Sequence, residues 1–250
     1  MGRLIKLDRP PAVVAAAAAP VAASFNVGTT GAANNITQAT NFTFTIPAGV
    51  LPGDVMIVAV TCFTFTSAAP AVSTPSSGGG SWSQIGSLVD TGATSGLNVY
   101  ATAWARVATA ADPGSTFSIS FSGTQGATNG FYWSASLGAY TGFSAGSPVG
   151  NNSSASGNNT TIGACPTVST ARSGSWGVCL CAAAVAAAGG ISGSPAGLTD
   201  RARSNPGNGV DSDLADTNAS AGGAGSSIGG GSFTATSAAQ WAVWTVELAR

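Results

Sequence analysis

The sequence predicts an all-β protein: an antiparallel β-sandwich, jelly-roll-like, with an extended N-terminal arm. Three observations carry this expectation. About ten apolar or alternating runs of strand length are separated by turn signals every 8–12 residues or so, with almost no helical periodicity. Two of these runs are apolar on both alternating faces, as strands covered on both sides must be. Six Trp and ten Phe at strand-like spacing supply a core.

The N-terminal stretch stands apart. Residues 1–24 are read as an arm and residues 25–250 as a single β-sandwich domain. The arm opens Met1-Gly-Arg-Leu-Ile-Lys-Leu-Asp-Arg9 and continues into a Pro- and Ala-rich run. A basic start, an apolar middle and small residues before Ser24 resemble a secretory signal. Pro10, Pro11 and Asp8 depart from that pattern. The stretch is also too short and too interrupted by proline to span a membrane. The preferred reading is an assembly arm, with Leu4, Ile5 and Leu7 docking on a neighbouring subunit and Arg3, Lys6 and Arg9 beside them.

The β-pattern begins at Asn41–Ile46, with Phe42, Phe44 and Ile46 facing inward. Asp54 to Thr66 follows two turn signals and is the longest strongly apolar run, rich in β-branched and aromatic residues. Ser67 to Ser81 reads as a loop and Trp82 to Val89 as a strand. In Leu97–Val107, Val99, Ala101, Ala103, Ala105 and Val107 form one face, and Tyr100, Thr102, Trp104 and Arg106 the other. A turn at Ala111–Ser115 leads to strands at Thr116–Ser122 and Gly130–Tyr140. Thr141 to Gly163 is polar and reads as a bridge or exposed loop. Ser175–Val185 is the second run apolar on both faces. Leu198–Arg203 is a short strand, Asn205–Gly231 mostly loop, and Ser232–Thr236 and Gln240–Leu248 close the chain. No strict repeat is visible; the runs after Asp54 and Ser175 share a character but not a motif.

Charged residues are only 7% of the chain, with one Lys, one Glu, no His and a net charge of −1. A surface so weakly charged opposes self-association poorly, which favours a homo-oligomer or a place in a larger assembly. Eight dispersed Lys and Arg form no stripe for phosphates, so nucleic acid is not an expected partner. Without His, neither a Ser-His-Asp nor a Cys-His arrangement can be built. The glycine runs lack the strand–turn–helix setting of a nucleotide loop. Asp54 and Asp112 sit in turns where Asp is favoured for backbone reasons, and Glu247 reads as a solvent-facing strand residue. The expectation is a non-enzymatic protein with no cofactor, calcium excepted: Asp211, Asp213 and Asp216 could contribute oxygen ligands to Ca2+, although a solvated loop is the plainer reading. Trp82, Tyr100 and Trp104 are candidates for stacking on a glycan, Trp104 being the best candidate for exposure. Cys62, Cys165, Cys179 and Cys181 read as buried thiols, with one disulfide open between Cys62 or Cys165 and the Cys179 region.

The order of Pro47-Ala-Gly-Val-Leu-Pro-Gly-Asp-Val-Met-Ile-Val-Ala-Val60, Tyr100–Ser115, Ser136–Gly142 and Trp241–Leu248 resembles β-sandwich proteins common in actinobacteria and in the tailed phages that infect them. Minor tail and other virion-surface proteins are the nearest likeness. The resemblance spans residues 40 to 250 or so and implies a structural or adhesive virion component, with copies of itself and other virion proteins as partners. It brings no catalytic residues. The function expected is therefore a phage virion structural protein in the tail or tail tip, oligomeric and able to contact the host surface. The alternatives are a capsid decoration protein, a carbohydrate-binding module recognising a host surface glycan, or a secreted surface protein of an actinobacterium cleaved after the Ala-rich segment.

Overall fold

A computed structural model describes residues 21–36, 39–64, 71–94, 97–125, 131–158, 161–185, 190–207, 209–236 and 238–250. The arm residues Arg3, Leu4, Ile5, Lys6, Leu7 and Arg9 lie outside them. The described residues form strands and no helix: β1 (Ser24–Ile36), β2 (Ala39–Thr45), β3 (Val55–Thr64), β4 (Ser83–Thr94), β5 (Leu97–Val107), β6 (Thr116–Gln125), β7 (Phe131–Thr141), β8 (Val149–Gly157), β9 (Val168–Ser169), β10 (Trp176–Val185), β11 (Ile191–Gly193), β12 (Thr199–Ser204), β13 (Val210–Asp216), β14 (Ser227–Ile228), β15 (Thr234–Ala235) and β16 (Ala238–Leu248).

Two five-stranded antiparallel sheets carry the fold, in the orders β1-β7-β3-β5-β4 and β12-β13-β10-β16-β8. Their inner faces share one core, where Val55, Ile57 and Ala59 of β3 are clustered with Val178, Leu180 and Ala182 of β10. Each outer face is covered in turn. The β2–β6 ribbon lays Phe42, Phe44, Phe117 and Phe121 over Met56, Val58, Tyr100, Trp104 and Trp133. Phe42 stacks on Trp133, with ring centroids 4.4 Å apart. On the far side, Ile162, Cys165, Ile191 and Phe233 cover Cys179, Cys181, Trp241 and Val243. Both central strands are therefore apolar on both faces because each separates two cores, as their sequences predict.

The structure shows an internal duplication that the sequence pattern does not. Read outward from its central strand, each sheet has the same connectivity. β1, β7, β3, β5 and β4 of the first half correspond in order to β8, β16, β10, β13 and β12 of the second. The small sheets correspond too, β2–β6 to β9–β14. The match extends to single hydrogen bonds. Ile46 N donates to Ser115 O and Gly114 N to Ile46 O; in the second half Thr170 N donates to Ser226 O and Gly225 N to Thr170 O. Ala108 N donates to Asp54 O, and Ala221 N to Ser175 O. Contacts between the sheets exchange in the same way: β1 lies by β12 as β8 lies by β4, and β7 by β13 as β16 by β5. The two halves thus meet about an approximate two-fold axis near β3 and β10.

Three of the longer strands depart from the sequence expectation. β1 was not expected, because its Gly, Thr, Ala and Asn residues carry little β-signal; it is held as the edge partner of β7. β8 occupies part of the polar Thr141–Gly163 stretch, with Asn151–Ser154 exposed along an edge beside β16. β13 replaces a predicted loop. It is paired on one side with β10 and on the other with β12, and is buried along its whole length.

Candidate functional site

The polar residues that could carry chemistry gather in four places. The first two lie at the same corner of the two halves. Asp54 stands at the entry to β3, where its carboxylate accepts from Leu51 N (2.9 Å), Asn26 Nδ2 (2.6 Å) and Thr141 Oγ1. This ties the entry of the central strand to the end of β7 and the start of β1. In the second half the same three elements are tied with acid and hydroxyl exchanged. Ser175, at the entry to β10, donates to Glu247 Oε1 of β16 (2.7 Å), and Glu247 also accepts from Asn151 N, Ala171 N and Arg172 N. Burial alone would raise the Glu247 carboxyl, but these donors hold it below its ordinary value. Glu247 is therefore a buried latch (0% exposed) and not the solvent-facing residue expected. The residue before each latch is a glycine in the left-handed region, Gly53 at φ 94° and Gly174 at φ 80°.

Beside the Asp54 latch lies an open groove lined by Val21, Leu51, Pro52, Phe143 and Arg250, with Asp54 and Gly53 at its side. Val21 and Leu51 are the large hydrophobic side chains that the described surface leaves exposed. Arg250 donates to Val21 O at 3.0 Å and ties the last residue to the first described one.

The third cluster surrounds Arg106, which is 3% exposed. Its guanidinium pairs with Asp112, donates to Ser77 Oγ (3.0 Å) and Gly80 O (3.1 Å), and lies over the Trp82 ring. Asp112 also accepts from Thr109 N at 2.7 Å. Burial would raise its carboxyl, and the Thr109 amide and Arg106 outweigh it, holding it low. Trp82 donates to Ser77 Oγ and packs edge-on against Phe117. The proposed stacking platform is corrected here. Trp82, Tyr100 and Trp104 are 3%, 0% and 5% exposed, respectively. The Tyr100–Trp104 face of β5 does not reach solvent, because the phenylalanine side of the β2–β6 ribbon must be buried somewhere and this is where it lies.

The fourth cluster is on β13. Strand alternation sends Asp211 and Asp213 to the outer face and Asp216 to the inner one, with Ser212 and Leu214, so the three proposed calcium ligands do not face a common point. Nor are they a solvated loop. Asp211 Oδ2 accepts from Ile191 N at 2.7 Å, holding β11 down. Asp213 accepts from Arg203 Nε at 2.8 Å, and Arg203 also pairs with Asp200. Asp216 is held by Arg201 in a two-point contact at 2.8 and 3.1 Å. Burial pushes the Asp211 carboxyl up to about 6 and that of Asp213 up to about 7. Among the described residues, no group of three Cys, Asp or Glu side chains is arranged to hold a metal ion. Sequence reasoning missed Arg201 and Arg203. Their spacing on a short strand, matched by acids two and three apart on β13, was the available signal.

No helix among the described residues is long and apolar enough to cross a membrane. Comparison with protein families, with curated proteins and with solved structures finds no match for this chain.

Proposed function

We propose that the chain is a non-enzymatic structural protein of a phage virion, in the tail or on the particle surface, built as two fused jelly-roll-like modules and assembled into an oligomer. The observation that carries this reading is the use made of the buried carboxylates. Asp54, Asp112, Asp211, Asp213, Asp216 and Glu247 each bind amides, hydroxyls or arginines of their own neighbourhood. These six acidic groups serve to fasten loops and strands in place. The sparsely charged surface adds support, since it sets little electrostatic barrier to packing against copies or other virion proteins. The arm residues Arg3, Leu4, Ile5, Lys6, Leu7 and Arg9 are assigned to that assembly. Calcium and host glycan are not part of this reading.

Light scattering on the full chain and on a version lacking residues 1–23 tests the proposal. A defined oligomer that falls to a monomer on truncation is the expected result. Two stable monomers at tens of micromolar would overturn it.

A further inference from the structure

We propose that the groove beside the Asp54 latch receives the Leu4–Leu7 segment of a neighbouring copy's arm. The inference rests on the assembly reading above and gives the arm its receiving surface.

Two observations single out this groove. The first is what it leaves open. Val21 is 62% exposed and Leu51 53%, and both line the groove with Pro52 and Phe143. Single exposed hydrophobics are ordinary, but two that share one concave site mark a place to be covered. The groove holds about 520 Å3, a volume that takes a few side chains.

The second observation is the contrast with the matching corner of the other half. Gly53 and Gly174 precede the two central-strand entries, both in the left-handed region. A side chain added at Gly174 would meet Arg250 Cδ at 3.2 Å, whereas one added at Gly53 would meet nothing within 4 Å. Tyr140 stands against Val55 as Leu248 stands against Trp176, so the residue matching Arg250 is Gly142. Glycine has no side chain to lay across the Leu51–Gly53 turn, and that corner stays bare.

Chemistry and reach choose the occupant. Leu4, Ile5 and Leu7 form the bulkiest apolar cluster of the arm, since the run from Pro10 to Pro20 holds only Pro, Ala and Val. Asp8 follows Leu7 directly and supplies a carboxylate for Arg250 at the groove's side, which sets the direction of the segment more than its affinity. The chain between Leu7 and Val21 spans up to about 45 Å at full extension. A 250-residue domain has a radius of gyration of about 18 Å, so the arm can pass its own body and reach a neighbour.

Light scattering over a concentration series, on the full chain, tests the groove. Leu51→Lys removes a surface apolar side chain and sets a cation against Arg3, Lys6 and Arg9. It should raise the concentration of half-assembly about tenfold or more, with circular dichroism unchanged, while Leu51→Met assembles like the wild type. The pairing itself is read by mixing Ile5→Cys with Leu51→Cys under mild oxidation and mapping the linked peptides. The native cysteines are at most 3% exposed and stay out of the reaction. A linkage between positions 5 and 51 of two chains is the expected product. If truncation of residues 1–23 abolishes the oligomer but Leu51→Lys does not, and no such linkage forms, the groove is overturned and the assembly reading stands. A monomeric full chain would overturn both. In the double variant, a linkage within one chain and none between chains would also overturn the proposal, because the arm would then fill its own groove.

Discussion

The shared inner core has two flanks that the duplication makes equivalent in backbone and leaves different in chemistry. Where β13 crosses β7, Ser212 Oγ lies 2.9 Å from Ser134 Oγ and 2.8 Å from Ser136 Oγ, and Thr61 Oγ1 donates to Asp211 O nearby. Where β16 crosses β5, the matching positions are Ala101, Ala242 and Trp244, all within the apolar cluster. One flank is closed by hydroxyls and the other by an indole against alanines. The latches differ as well: Asp54 binds Thr141 in one half, whereas Ser175 binds Glu247, two residues before the position that matches Thr141, in the other. The difference teaches that register and loop closure fix the architecture. What fills a crossing is free to change, provided the volume is filled.

The largest effect is expected from the apolar flank. Trp244→Ala empties the side of the core shared by both halves and should cost about 3–5 kcal/mol. Chemical denaturation should still show one transition, because neither half keeps its inner face covered without the other. Two separated transitions would show that the halves fold independently. Next comes the second-half latch. Glu247→Gln weakens several charge-assisted hydrogen bonds and should cost roughly 2 kcal/mol at neutral pH. Its folded carboxyl is held below the unfolded value, so its contribution is present above the ordinary carboxylate range and is lost as pH falls through the folded value. The gap between wild type and variant should therefore close in acid, and a gap independent of pH would refute the latch.

Asp213 should show the opposite slope within the same half. Its carboxyl is raised to about 7, so between there and the ordinary value the folded chain binds a proton that the unfolded chain has released. Stability contributed at this site falls as pH rises through that window. Asp213→Asn, which keeps an acceptor for Arg203, should flatten the curve by roughly 1 kcal/mol across it, read from denaturation midpoints at several pH values. On the hydroxyl flank, Ser212→Ala should cost about 1 kcal/mol, less than its apolar counterpart. The smallest effects belong to the paired glycines. Gly53→Ala has open space but a left-handed backbone, so strain alone should cost about 1 kcal/mol or less. Gly174→Ala adds only a contact with the movable Arg250 side chain, and the two melting shifts should be similar.

Much of the architecture is legible in the residues. Val55–Cys62 and Trp176–Val185 are apolar on both faces because each lies between two cores, and Leu97–Val107 is a strand with the bounds its alternation indicates. The site residues are less legible, because local polarity was read as exposure. Asp211, Asp213 and Asp216 look like a solvated run until β12 supplies Arg201 and Arg203 across the register. Glu247 looks solvent-facing until the turn at Ala171 and Arg172 closes over it. Trp104 shares its face with Thr102 and Arg106, yet all three are buried beneath the ribbon and the Ser77–Ser81 segment.

The sequence by itself determined the all-β class, the two central strands and most strand positions, since these follow from period, composition and residue type, which are local. Only the tertiary structure decided the duplication, the exchanged latches and the parity that parts Asp216 from Asp211 and Asp213. Those depend on which strand lies beside and above which. Pairing partners are chosen by long-range burial and register, so two halves with different side chains reach the same backbone without sharing a motif.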